Sequence, residues 1–433
     1  MGAALAVAGL AVVLLGAGLL VDTRAESAFD APKRLIMLVG IALAAAALLV
    51  VPPKPPAARW SWRDTTIEQR VVLLLVGVAL AFALVAAIVS PRRATALDAT
   101  RTLLLAALLL PLGASRALDG RRSRVVIGTF VGACTVNAAV SLLQFGGHLR
   151  LFRVETVGGR LDVSAFVGND GVLALGLALG TLICLGLVLL AQSRAIRIAG
   201  GAGLVVHLGA LAVSQSLTAV TALATGSIVL LVLSAQRRSL AGTLIVACVL
   251  AGGLLLQPSV SRRVHDALGH VRAGDWDAAL TYRAGPWAAA VEMARSRPLV
   301  GWGPGTFGAE FVTHRLAAEI HFHRRFVNPF LAGAYSEAHS EYLQAAAEGG
   351  IPAALAAVAA LGALLIALLR AIRRTPDGPV RREAIVLVAI LCAGAAAALT
   401  WFPLQRPITA IPLLLAAGRA WRLAGLGGMD GPA

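Results

Sequence analysis

The sequence predicts an all-α polytopic membrane protein of about twelve transmembrane helices, with one long hydrophilic loop containing short helices between spans nine and ten. Three observations carry this. The 433 residues are 58% hydrophobic and only 14% charged, a balance that water-soluble domains do not show. Apolar runs of 17 residues or more, enough to cross a bilayer, recur without a charged side chain. The basic residues that give a formal charge of +16 sit in short clusters between those runs, the pattern that orients membrane helices rather than one that grips nucleic acid.

Clear spans are read at 3–20, 35–51, 71–89, 125–145, 172–190, 240–256, 351–369 and 384–399. Two weaker ones are 103–114, interrupted by Pro111, and 404–417, which contains Pro407 and Pro412. The stretch 198–236 lacks Asp, Glu, Lys and Arg, yet as one helix it would be roughly twice a bilayer thickness. It is expected to fold back once, at Ser214, Gln215 and Ser216, which completes twelve spans. The first run has no basic region before it and no small-residue cleavage site after it, so it reads as a retained span. Cys134, Cys184, Cys248 and Cys392 all fall inside apolar runs, where a thiol behaves as a small hydrophobe.

With the N-terminus inside, nineteen basic residues fall in the inner loops and ten in the short outer ones. The remaining nine lie in the long hydrophilic segment, which the orientation rule largely ignores. Both termini are therefore expected to be cytoplasmic and the long loop periplasmic, in a bacterial inner membrane. The expected organisation is spans one to nine over 1–256, the loop over 257–350, and spans ten to twelve with a short tail over 351–433. No nucleotide is at hand on the outer side, so a reaction there must take its energy from its substrate.

Within the loop, 281–293 reads as a short helix, since Trp287, Val291 and Ala294 recur at helical spacing. The alternate glycines of Gly301-Trp302-Gly303-Pro304-Gly305-Thr306-Phe307 forbid a regular helix. As a phosphate loop this segment lacks the Lys-Ser/Thr ending and a preceding strand, so a structural turn is expected. His314, His321 and His323 precede Arg324 and Arg325, but His-x-His supplies two ligands, and nearby carboxylates are limited to Glu310 and Glu319. A solvated basic loop is expected there rather than a metal site. Ser336 reads as an N-cap with Glu337 in the first turn, which puts His339 near the start of a helix leading to the membrane.

Arg283 with Trp287, the stretch from Pro298 through Gly305 to Phe307, Ala338-His339-Ser340-Glu341-Tyr342-Leu343-Gln344, and Glu348-Gly349-Gly350-Ile351-Pro352 occur in an order that resembles the O-antigen ligase and O-antigen polymerase superfamily. Arg160 and Phe166-Val167-Gly168-Asn169-Asp170 fall where that family has an arginine and a Gly-Asn-x-Asn-like turn. The resemblance covers 160–369 and is most specific at His339. It implies a metal-independent, inverting transferase without cofactor, moving a glycan from an undecaprenyl-diphosphate carrier to lipid A core or to a growing glycan. Membrane lipids are its other partner and nucleic acid is not one.

By the resemblance, His339 is the base for the acceptor hydroxyl and Arg283 the cation for the diphosphate, roles that suit a near-neutral imidazole and a planar guanidinium. Arg160, Arg324, Arg325, Glu337 and Tyr342 are the implied substrate-binding positions. Two positions depart from the family: Leu217 stands where many members have a second phosphate-binding arginine, and Ser340 where asparagine is usual. Either Arg160, Arg324 or Arg325 substitutes at the diphosphate, or the site differs from that of typical ligases, which keeps exopolysaccharide or O-antigen polymerisation beside lipid A core ligation. A protein O-oligosaccharyltransferase shares the same features. A polysaccharide transporter or flippase predicts ionisable residues in mid-span and repeated halves, whereas such residues are almost confined to His207 and no repeat is visible.

Overall fold

A computed structural model describes residues 1–25, 27–50, 65–150, 163–234, 258–326 and 335–426, and within them the regular structure is entirely helical. In chain order the helices are α1 (Gly2–Leu19), α2 (Ala31–Val50), α3 (Ile67–Val89), α4 (Arg93–Ala107), α5 (Leu109–Ala114), α6 (Arg121–Phe145), α7 (Asp170–Leu190), α8 (Arg194–Ser214) and α9 (Leu217–Ser234). They continue with α10 (Pro258–Arg272), α11 (Trp276–Ala279), α12 (Ala284–Ser296), α13 (Phe307–His321), α14 (Glu341–Gly349), α15 (Ile351–Arg374), α16 (Pro379–Ala398) and α17 (Pro407–Leu426).

Among the described residues nine helical segments are long and apolar enough to cross a membrane: α1, α2, α3, α4 with α5, α6, α7, α8, α9 and α15. The fold-back expected inside 198–236 is present, with Gln215 in the left-handed region (φ 54°) between α8 and α9. The expected span 240–256, with Cys248, lies outside the described residues. α16 and α17 are each 20 residues long, about 30 Å, and α16 opens with Arg381, Arg382 and Glu383. The fourth span begins ten residues earlier than expected, at Arg93, because the ion pair of Arg101 with Asp98 (2.6 Å) lets the polar first turns stay helical. Pro111 then leaves no N–H to bond the carbonyl one turn back, and the helix breaks between α4 and α5.

α7 is the centre of the bundle. Its residues 172–186 are apolar all round but for Thr181, and every one is buried, as expected of a helix with neighbours on all sides. α6, α8, α9 and α16 surround it. His207 of α8 meets α6 through Thr135 Oγ1 (3.0 Å); that hydroxyl already donates to Val131 O (2.8 Å), so the imidazole Nε2–H donates here. A mid-span histidine is thereby satisfied within the protein.

Where lipid tails are as apolar as leucine, helices associate through close approach at small residues. α5 and α17 show this. A Cβ at Gly113 would lie 2.3 Å from Leu415 O, and one at Gly418 would lie 2.0 Å from Leu110 O. Gly418→Ala must push the two backbones apart and is expected to lower stability by about 1–3 kcal/mol. Gly77→Ala, whose Cβ would meet nothing within 4 Å, should be neutral by comparison. Unfolding midpoints in detergent compare the two; equal midpoints would remove the close crossing as a source of stability.

α12, α13 and α14 form a lobe with its own core of Ala289, Ala290, Met293, Phe307, Phe311, Ala338 and Ala347. Ser90 Oγ, beyond the end of α3, donates to Trp302 O (2.5 Å), and Arg92 pairs with Glu310 (2.5 Å). These contacts seat the lobe on one end of the bundle. At the far end of α17, Arg419 binds Glu383 with two nitrogens (2.7 and 3.0 Å) and Asp119 (2.7 Å), and Arg422 binds Asp119 (2.6 Å). The lobe helix expected over 281–293 begins at Ala284, since Thr281 and Tyr282 are both left-handed (φ 53° and 59°) and cannot continue a helix.

Candidate active site

The three alternate glycines and the Glu348 block are stitched into one structure. Gly301, Gly303 and Gly305 all have positive φ, and backbone bonds run from Trp302 N to Ala347 O (3.0 Å), Gly303 N to Glu348 O (2.8 Å) and Ile351 N to Pro298 O (2.8 Å). The turn's amides, which in a nucleotide-binding loop would cradle phosphate, are occupied from inside: Glu348 Oε1 accepts from Phe307 N (3.0 Å), and the Gly305 N–H also donates to that carboxylate. This is the structural turn, with a protein carboxyl group as its acceptor. Burial pushes Glu348 up to about 7 against those donors.

α14 starts one turn later than expected. Its cap is Ser340, whose Oγ accepts from Leu343 N (3.5 Å), and not Ser336. Ala338 N donates to Gln344 Oε1 (2.9 Å) and His339 is left-handed (φ 53°), so the chain reverses immediately before Ser340 and helical geometry cannot begin at Ser336. Serine and asparagine cap equally well, so an asparagine at position 340 would serve this helix in the same way. Glu341, not Glu337, occupies the first turn. Its backbone N–H donates to Trp401 O (3.2 Å) and its buried carboxyl takes a bond from Leu404 N, while burial pushes it up to about 8, so it is protonated at neutral pH.

His339 therefore precedes the helix rather than standing in it. Its Nδ1 lies 3.1 Å from Glu337 O. A carbonyl only accepts, so Nδ1 carries the proton and Nε2 keeps its lone pair. Trp287 Nε1 donates to His339 O (3.2 Å), and the rings of Tyr335, Trp401 and Phe402 meet the imidazole edge-on at 5.4, 5.2 and 5.2 Å. Burial in this collar pushes His339 down to about 4, and the charges of Arg283 and Arg406 act in the same direction. The imidazole is neutral at neutral pH.

Arg283 caps α12 behind the strained pair Thr281 and Tyr282, and Tyr335 Oη donates to Tyr282 O (3.0 Å), tying this turn to the His339 collar. Backbone strain at Tyr282 and His339 thus falls on both sides of one site. The Arg283 guanidinium lies 5.6 Å from the centroid of Trp401, which stacks on Phe402 at 4.6 Å; Arg406 lies 5.0 Å from Phe402. Each ring's inner face is covered by the other, so the two arginines flank the stacked pair from its outer faces, with His339 against the edges of both rings.

Of the other expected residues, Glu337 is at the site: its carbonyl holds His339 and its carboxylate pairs with Arg406 (2.7 Å). Tyr342 is turned into the bundle, its hydroxyl donating to Ala395 O (2.9 Å). Arg324 pairs with Asp277 (3.1 Å) and Arg325 is exposed beside it. Arg160 lies outside the described residues. Leu217, at the family's second arginine, opens α9 next to Thr218, whose hydroxyl is 3.2 Å from that of Thr400, the neighbour of Trp401. His321 is bonded by Arg295, and His314 bonds Glu310 O (2.9 Å) and packs edge-on against Trp302. The residues that sequence reading did not single out are Tyr335, Trp401, Phe402 and Arg406. The aromatic pair Trp401-Phe402 at the exit of a span was the available signal.

Comparison with known families places a match over 202–358, to the family model described as O-antigen ligase. The matched stretch contains Arg283, the glycine turn, His339 and Glu348, and supports the superfamily resemblance drawn from those motifs. No curated protein matches the chain.

Proposed function

We propose that this protein transfers a glycan from undecaprenyl diphosphate to an acceptor hydroxyl, on lipid A core or a growing glycan, at the periplasmic face of the inner membrane. The observation that carries this reading is the neutral His339, its Nδ1–H held by Glu337 O so that Nε2 is the unprotonated nitrogen, flanked by Arg283 and Arg406. Nε2 takes the proton of the acceptor hydroxyl as its oxygen bonds to the anomeric carbon. The bond from that carbon to the diphosphate breaks, and the electron pair leaves with the lipid diphosphate, whose charge Arg283 meets. The carrier's leaving group supplies the driving force, in keeping with a site that needs no nucleotide.

The test is transfer by the purified full chain in proteoliposomes, given a lipid-diphosphate glycan with lipid A core or a growing glycan as acceptor. Product formation is expected. Solute movement without glycan transfer would overturn the reading, and transfer to protein alone would replace the acceptor. The pH dependence adds a sharper expectation. A base is active when unprotonated, so kcat/KM should hold through mildly acidic pH and fall only near His339's value of about 4. The bound diphosphate places negative charge near the imidazole and stabilises its protonated form, so the acidic limb of kcat should lie at higher pH than that of kcat/KM.

A further inference from the structure

We infer that Arg406 is a positioning residue for His339: by holding Glu337 and Asp30 together it fixes the carbonyl that orients the imidazole. This rests on the transferase reading above. Arg406 stands at the turn between α16 and α17, and its carbonyl accepts from Ala410 N (2.8 Å), so its backbone is set by the first turn of α17. Its side chain reaches back: one terminal nitrogen binds Asp30 (2.7 Å), just before α2, and the other binds Glu337 (2.7 Å). The plane of the guanidinium is further fixed against Phe402, the ring that His339 touches edge-on. One side chain thus joins the start of α2, the start of α17 and the loop before α14.

Glu337 is the link. Its carboxylate is held by Arg406 and its carbonyl receives His339 Nδ1–H. With the carboxylate released, the residue can turn about its backbone, and the bond that sets the direction of Nε2 is no longer fixed. Arg406 is bound by two carboxylates, which makes it a poor partner for the donor diphosphate. Its charge also acts on His339. The groups around the imidazole are the cations Arg283 and Arg406, the Glu337 carbonyl, and the rings of Tyr335, Trp401 and Phe402; Glu341, two residues on, is held protonated by burial.

Arg406→Gln is expected to lower kcat by about a hundredfold, the effect of a misplaced reacting group, with the donor KM little changed. Removing a positive charge should move the acidic limb to higher pH, whereas Arg406→Lys should keep the limb and lose part of kcat. A second readout needs no turnover. Diethyl pyrocarbonate modifies neutral imidazole, so mass spectrometry of His339 across pH in the detergent-solubilised chain should show a midpoint that rises in Arg406→Gln. Arg272→Gln, on the exposed end of α10, should leave it in place. Should Arg406→Gln fail to fold, Glu337→Gln keeps the carbonyl, removes the anion, and should reproduce the loss of kcat. A rise in donor KM with kcat intact, or an unmoved midpoint with unmoved kcat, overturns the inference. Absence of transfer by the unaltered protein overturns the transferase reading instead, and the rate of His339 modification above its midpoint, which changes only if the imidazole is presented differently, still decides the positioning role of Arg406.

Discussion

Replacing His339 by alanine is expected to reduce glycan transfer by about 10²- to 10⁴-fold, the usual contribution of a positioned general base. Among the described residues the side chain bonds Glu337 O, whereas the bond from Trp287 goes to its backbone carbonyl and survives the change. Alanine brings a separate backbone cost, because residue 339 is left-handed, a region in which histidine and asparagine are enriched and alanine is not. His339→Asn separates the two effects. Asparagine tolerates the left-handed region but offers no base, so it should match alanine in lost transfer while keeping the unaltered protein's unfolding midpoint. Transfer at the native rate by the asparagine variant would remove His339 from the chemistry.

Much of the bundle was legible because its physics is local. Long charge-free runs mark α1, α3, α6 and α7 whatever they pack against, and the fold-back followed from length, its place from the polar Ser214, Gln215 and Ser216. The fourth span was read too short, because Asp98 and Arg101 counted against it one at a time although they neutralise each other on one helix face. In the lobe, α13 carries Phe307, Phe311, His314 and Ala318 at helical spacing, all buried, but His314 drew a reading for charge when its imidazole is packed against Trp302. The start of α14 could not be placed from its own residues. Ser336 and Ser340 are equally good caps, and what chooses between them is the left-handed His339 and the grip of Gln344 on Ala338.

The site was legible in part for the same reason. Arg283 and His339 come from motifs, while the collar that sets the protonation of His339 comes from Trp401 and Phe402, some sixty residues on and beyond two long helices. Nothing in sequence spacing brings them together; the packing of α14 against α15 and of α16 against α17 does. Arg406 had a sufficient explanation as an outer-loop charge, and Glu348 as one letter of a motif. Its role as the acceptor inside the glycine turn appears only when both stretches are seen joined.

Arg283→Lys is expected to lower kcat/KM for the lipid-diphosphate donor by about 10- to 100-fold. A guanidinium gives two parallel charge-assisted bonds to phosphate oxygens and an ammonium gives one point of contact; one such bond contributes about 1.5–3 kcal/mol, and each 1.4 kcal/mol is tenfold. The planar group also rests over Trp401, which pre-sets its orientation, and a lysine has no plane to set. Arg283 acts on His339 as well, through charge alone. Lysine keeps that charge, so the acidic limb of kcat/KM should stay near 4 while the rate falls. Arg283→Gln loses both, and there the limb should also move to higher pH, since one cation no longer opposes protonation of the imidazole. Rate and limb measured on the two variants therefore separate the grip on the donor from the field on the base. A lysine variant at near-native rate would leave Arg283 with the field alone, and the diphosphate would need another partner in the site.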